Sequence, residues 1–187
     1  MQYAKRLTMK TDRKVIVYIA ASLDGYIAGP NDDLGFLSVV EQEGEDYGYA
    51  DFIKTVDTVI MGRKTYDWVM SHMPEYAHAD KTAYIITRTP RPAAGKTSFY
   101  TGNLPELVSM LKSREGKTIF IDGGAEVVNE LLKAGLIDEL IISVIPVLVG
   151  NGVRLFNDNR PLQQVKLQSA KQFESGLVQL HYACTVG

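Results

Sequence analysis

The chain has 187 residues, 45% of them apolar and 22% charged, with 16 glycines and a formal charge of −2. That length suits one domain with a sizeable buried core, and the near-neutral charge gives no general electrostatic reason to expect nucleic acid or an anionic membrane as a partner. A single cysteine, Cys184, excludes an internal disulfide, and His72, His78 and His181 are too scattered for a zinc-type cluster, so no metal is expected. A reducing, cytoplasmic compartment fits this usage.

Residues 1–13 read as a basic N-terminal tail (Lys5, Arg6, Lys10, Arg13), with Met1 and Met9 both standing as starts, and 14–187 as one domain. Val15–Ala21 is β-branched and apolar on both faces, as a central strand is. It is too short to cross a bilayer and lacks a signal-peptide cleavage site. Asp24-Gly25, Gly29-Pro30 and Asn31-Asp32 mark a long turn region. The acidic stretch Glu41–Asp46 reads as a solvated loop, with closure over a ligand as the alternative. Tyr49, Phe52, Ile53 and Val56 share one face of a helix. Thr58–Met61 is a second strand, and Gly62-Arg63-Lys64-Thr65 opens a helix with Tyr66, Val69 and Met70 inward.

Ala83–Thr87 and Thr97–Tyr100 are strands separated by Pro90, Pro92 and Gly95. Asn103-Leu104-Pro105-Glu106 reads as a capping box before a helix whose stripe is Leu104, Leu107, Val108 and Leu111. Thr118–Ile121 is a strand, Gly123-Gly124 a turn, and Ala125–Ala134 a helix closed by Gly135. The remainder is β-rich: the run Leu140–Val149, entirely core by default, then Val165–Phe173 and Leu177–Thr185. Alternating strands and helices ending in antiparallel-looking strands predict one mixed sheet flanked by helices.

Two strand-to-helix turns carry the chemistry. In each, free N–H groups and the positive end of a helix make an anion site. Gly62 lets a phosphate approach the backbone, Thr65 adds a hydroxyl, and Arg63 and Lys64 supply charge. Ile121-Asp122-Gly123-Gly124-Ala125 repeats the pattern, and two such turns face to face suit a pyrophosphate. Neither is a Rossmann or Walker loop, and taken singly each is equally well a plain tight turn. Asp24 reads either as an Asp-Gly turn residue or as a site acid, and Asp122 either as a helix cap or as a site acid.

The segment "VDTVIMGRKTYD" (Val56–Asp67) resembles the signature of the dihydrofolate reductase superfamily. Around it stand "VIVYIAASLDGYIAG" (Val15–Gly29), "YIITRT" (Tyr84–Thr89) and "IFIDGGAEVVNELLKAGLIDELIISVIPVLVGNGVRLF" (Ile119–Phe156). The last block is most similar to the reductase domain of riboflavin biosynthesis, the RibD C-terminal domain. The resemblance implies an α/β, three-layer, dihydrofolate-reductase-like fold: a central mixed, mostly parallel sheet with helices on both faces and antiparallel C-terminal strands. It also implies NADPH as cofactor and a homodimer. Ala21, Ala28 and Gly29 would line the nicotinamide, and Gly62, Arg63, Lys64 and Thr65 would hold the pyrophosphate and ribose phosphate. Thr87 and Arg88 would meet the 2′-phosphate. Gly123 and Gly124, often joined by a cis peptide in the family, would complete the cradle with the helix start Ala125, Glu126 and Val127.

The implied substrate is a small heterocycle, as in 5-amino-6-(5-phosphoribosylamino)uracil reductase. Alternatives are a dihydrofolate or pterin reductase, or a non-catalytic NADP-binding module. Folate reductases carry an acid one helical turn before a helix phenylalanine. Counting back from Phe52 gives Gly48, and the upstream tryptophan is absent, since the only one is Trp68. Asp24 and Asp122 match the riboflavin-type acids and are the expected catalytic residues. The deaminase signature H-x-E with P-C-x-x-C is absent.

Overall fold

The computed structural model describes residues 13–73 and 75–184. The expected tail up to residue 12 and the end of the last strand at Thr185 lie outside them. Ten strands are described: β1 Val15–Ser22, β2 Tyr26–Ala28, β3 Val56–Gly62, β4 Thr82–Ile86, β5 Thr97–Tyr100, β6 Thr118–Gly123, β7 Glu139–Ile145, β8 Val153–Arg154, β9 Val165–Gln172 and β10 Val178–Cys184. The four α-helices are α1 Tyr49–Lys54, α2 Arg63–His72, α3 Leu104–Lys112 and α4 Ala125–Lys133. The eight strands of the main sheet run β5-β4-β3-β6-β1-β7-β10-β9. All pairs from β5 to β7 are parallel, and β10 is antiparallel to both neighbours. β2 and β8 form a separate antiparallel pair. The expected mixed, mostly parallel sheet is present.

Helices cover both faces because the central strands are apolar on both. In β6, Ile119 and Ile121 point to a core with Leu104, Leu107, Val108 and Leu111 of α3 and Val127, Val128 and Leu131 of α4. Phe120 points the other way, to Phe52 of α1, Tyr66 and Val69 of α2, and Tyr76. Each such side chain, once fully buried, contributes about 1.5–3 kcal/mol. Asn103 caps α3 by accepting from the Glu106 N–H at 2.9 Å, the half of the capping box that the described contacts contain. Past α4, Gly135 has φ +65°. Its N–H reaches Leu132 O, and that of Leu136 reaches Leu131 O, the paired bonds that close a helix on glycine.

Several expectations need correction. Val56 belongs to β3, opposite Thr118, and not to the preceding helix; a six-residue α1 ends at Lys54. Met70 is 40% exposed and does not face the core. The run Leu140–Val149 is not all core: β7 stops at Ile145 before Pro146, which lacks a ladder donor, and Leu148 is 74% exposed. The long turn after β1 hides a strand, β2, held by β8. Arg13, assigned to the tail, is buried and donates to Asp57, Thr58 and the carbonyls of Leu111 and Lys117.

Candidate active site

β3 and β6 are parallel neighbours, with Met61 opposite Gly123, so the turns that follow them open at the same edge of the sheet. Gly62 is the N-cap of α2 and Gly124 the N-cap of α4, and neither helix start has a side-chain cap. The first N–H groups of both helices are therefore left to a ligand or water. The two backbones nearly touch. A Cβ on Gly62 would lie 3.6 Å from Gly124 N and 3.6 Å from Val127 Cγ2, and one on Gly124 would lie 3.1 Å from Thr65 Oγ1. Gly123 has φ +101°, where a side chain is strained, and the Gly123–Gly124 peptide is cis.

Around this cradle, Arg63 and Arg91 both grip Asp67, at 2.6 and 2.7 Å. The Arg91 and Arg63 hydrogen bonds hold the Asp67 carboxyl below its ordinary range. Arg91 also lies over the Phe99 ring. Lys64 and Arg88 are exposed, and neither has an ion pair among the described residues. The buried Thr87 hydroxyl is used by the turn after β4, bonding Thr89 O and N at 3.1 Å each. Ala125 and Val127 are buried, while Glu126 is exposed.

The other expected cofactor positions are on β1 and at the end of β2. Ala21 is buried near the end of β1, opposite Val144 of β7. Ala28 and Gly29 pack against Gly152, where a Cβ would fall 2.1 Å from Ala28 O.

The two acids have opposite surroundings. Asp24 accepts from Ser22 Oγ at 2.6 Å and from the N–H groups of Val149 and Gly150 at 3.0 and 2.7 Å. The Ser22 bond first, then the two backbone bonds, lower its pKa to about 2. Asp24 thus ties the turn after β1 to the segment after β7, and it is ionised at neutral pH. Asp122 makes no capping bond to α4. Its side chain is partly buried, with 26% of its surface still open. Burial raises its pKa, and His78 opposes the rise.

His78 comes from the loop before β4, and its Nε2 lies 3.5 Å from Asp122 Oδ2 and 3.4 Å from the Tyr49 hydroxyl. Its ring packs edge-on to Tyr76 and Phe120. Burial first, then the Asp122 charge, raises the pKa of both Tyr49 and Tyr76. Sequence reasoning missed His78, Tyr49 and Tyr76 as site residues. The one available signal was a histidine standing between Ala77 and Ala79 in a loop.

The folate-type position is filled as the count predicts: Gly48, with φ +87°, precedes α1 and Phe52. Asp46 bonds the N–H groups of Gly48 and Ala50, and Asp51 pairs with Lys54. Trp68 stacks on His72 along α2.

Comparison with known proteins agrees with this architecture. The chain is 42% identical over 172 residues to the uncharacterized protein YwjB of Bacillus subtilis strain 168, covering 91% of this chain and 98% of that one. A putative riboflavin biosynthesis protein from Shewanella sp. PV-4 superposes with a TM-score of 0.84 at 29% identity, over 92% of this chain and 99% of the other. Dihydrofolate reductase from Enterococcus faecalis, solved with NADP(H), shares the fold at a TM-score of 0.62 and 16% identity, over 92% and 97% of the two chains. The sequence profile of the RibD C-terminal domain matches residues 13–179, and with it the chain belongs to the RibD C-terminal domain family, on a dihydrofolate-reductase-like fold.

Proposed function

We propose that this protein is an NADPH-dependent reductase of a small heterocyclic substrate, similar in reaction class to 5-amino-6-(5-phosphoribosylamino)uracil reductase. The observation that carries the reading is the close meeting of two uncapped helix starts that carry no side chain at their N-caps, with a Cβ on Gly62 falling 3.6 Å from Gly124 N. Such a meeting fits a diphosphate, which needs backbone N–H groups and no side chain in the way. The N–H groups after Gly62 and Gly124, with the Thr65 hydroxyl, would hold the diphosphate; Lys64 and Arg88, free of ion pairs among the described residues, would meet a 2′-phosphate. When bound, the cofactor supplies hydride.

The protein's own contributions are binding, orientation and a proton. Asp24 shapes the turn that leads into β2 and, as expected from the family pattern, helps to position the acceptor. Its carboxylate is too acidic to donate a proton near neutral pH. Asp122, whose pKa is raised by burial, is the proton donor, and its open side faces the acceptor. Folate reduction is disfavoured because Gly48 stands where the folate-gripping acid belongs.

The reading places the enzyme in the cytoplasm as a homodimer. Every residue of the edge strand β9 is exposed, with Leu167 at 51%, and an edge strand of that kind invites a partner. Among the described residues no helix is long and apolar enough to cross a membrane.

Calorimetry with NADPH, followed by steady-state NADPH oxidation against a panel of pyrimidines and pterins, tests the proposal. Micromolar binding with turnover of at least one compound is expected. Absence of binding would refute it. Binding with no turnover, unchanged by Asp122→Asn, would favour the non-catalytic module. Light scattering tests the dimer.

A further inference from the structure

His78 is a costly choice for the place it occupies. Its side chain is 7% exposed, Tyr76 and Phe120 enclose its ring, and its Nδ1 is buried with no hydrogen-bond partner. Were packing its only task, phenylalanine would fill the same cage with no polar atom to desolvate. The imidazole is kept where its other nitrogen meets Asp122 and Tyr49.

The unmet Nδ1 identifies the form of the ring. With the hydrogen on Nε2, only a lone pair is left unpartnered at Nδ1. With it on Nδ1, or on both nitrogens, a buried N–H is left without an acceptor, which is the more expensive state. The Nε2–H then points toward the Tyr49 hydroxyl oxygen at 3.4 Å and Asp122 Oδ2 at 3.5 Å, two groups able to accept it. Both are long contacts, of the kind that tighten when a site is loaded. Asp122 Oδ1 has no hydrogen-bond partner among the described residues, and the carboxyl retains an open edge.

We infer that His78 is a positioning residue for Asp122: its Nε2–H holds Oδ2, leaves Oδ1 to the open edge of the carboxyl, and sets the pH at which the carboxyl gives up its proton. The role rests on the reductase reading for its purpose, since a proton released from Oδ1 must pass to a heteroatom of the acceptor. It also narrows the acceptor to one whose reduced bond ends in a basic nitrogen or oxygen. The O–H bond at Oδ1 breaks as the new N–H or O–H bond forms. The remaining carboxylate keeps the His78 hydrogen bond and takes its next proton from solvent at its open edge. The titratable groups facing Asp122 are Tyr49 from α1 and Tyr76 and His78 from the loop before β4, with Tyr18 of β1 and Tyr66 of α2 behind them.

The test reads Asp122 itself, by NMR of carboxyl-labelled aspartate, with its signal assigned by loss in Asp122→Asn. His78→Phe keeps the ring and removes the donor, while His78→Gln restores a donor amide. In His78→Phe the Asp122 inflection is expected to move up by about one pH unit, because the bond that favours the carboxylate is gone. In His78→Gln it returns most of the way. An inflection unmoved in His78→Phe, or moved equally in both variants, overturns the inference. Imidazole nitrogen NMR of the unaltered protein is independent of how the variants fold: a hydrogen on Nε2 is expected, and one on Nδ1 refutes the argument. Neither readout needs turnover. NADPH calorimetry on the same samples, expected unchanged in His78→Phe, reports separately on the reductase reading. Loss of NADPH binding in the unaltered protein sinks that reading and leaves the His78–Asp122 coupling standing.

Discussion

Gly62→Ala separates a cofactor cradle from an ordinary turn. The backbone there has φ −73° and ψ 150°, which alanine adopts without strain. The added methyl would meet Gly124 N and Val127 Cγ2 at 3.6 Å each, ordinary contact distances. Folding is therefore unharmed, and the smaller freedom of the unfolded chain stabilises the variant by about 0.4–1 kcal/mol. On the proposed reading the same methyl, 3.6 Å from Gly124 N, would crowd the N–H that a diphosphate oxygen uses at the start of α4. A hydrogen bond to a charged group contributes about 1.5–3 kcal/mol, so losing one weakens NADPH binding by about 10- to 150-fold. Urea unfolding gives the first quantity and calorimetry the second. Unchanged NADPH affinity in a well-folded Gly62→Ala protein would refute the cradle, and so would an affinity loss matched by destabilisation.

Arg88→Ala and Lys64→Ala are each expected to weaken NADPH by about tenfold while leaving NADH nearly untouched, with the difference shrinking at high salt; equal losses for both cofactors would remove them from the 2′-phosphate site. Arg13→Met removes four hydrogen bonds at the base of the sheet, one of them to Asp57, and is expected to cost about 3 kcal/mol, held to the low end because Asp57 keeps its Lys117 and Thr58 donors and contact with water. An unchanged urea midpoint would contradict it. Asp24 has a folded pKa of about 2 against an ordinary 3.8, so its stabilising share is complete above that ordinary value and is lost as pH falls through the folded one. Asp24→Asn is therefore expected to flatten the acid end of a urea-midpoint-against-pH curve and to leave the slope above pH ~5 as it was.

Where burial is two-sided or a cap is local, the sequence carries the structure within itself. β6 could be read because Ile119, Phe120 and Ile121 are all apolar, and α3 because Asn103 and its leucine stripe lie within one short window. The second glycine turn was legible for a similar reason, as Gly123 at φ +101° and Gly124 close to Thr65 leave little room for a side chain, and glycine stands at both. The illegible parts depend on partners far away in sequence. Asp24 finds two of its three donors at Val149 and Gly150, and nothing near Asp24 announces those two. His78 lies in a loop with no periodicity, and its meaning comes only from Asp122, brought beside it by β6. β2 has three residues and exists because β8 pairs with it. Leu148 looks like core by composition, and only the end of β7 at Pro146 shows that it is not.

The two acids also explain each other's environment. Both occupy the end of the sheet where the parallel strands feed their helices, the end where helix starts favour negative charge. Asp24 takes that course fully, with three donors and an ionised carboxyl. Asp122, one residue before the glycine pair, does not: no N–H of α4 reaches it, and burial outweighs the one imidazole that favours its charge. An ionised Asp122 would set a second negative charge beside any diphosphate drawn to the cradle, and at low dielectric that repulsion would oppose binding. Burial, which favours the neutral form of the carboxyl, lessens that repulsion. On the proposed reading, an imidazole at that contact suits both ligand binding and proton delivery: an arginine or lysine there would favour the charged carboxyl more strongly, whereas beside His78 the rise caused by burial persists.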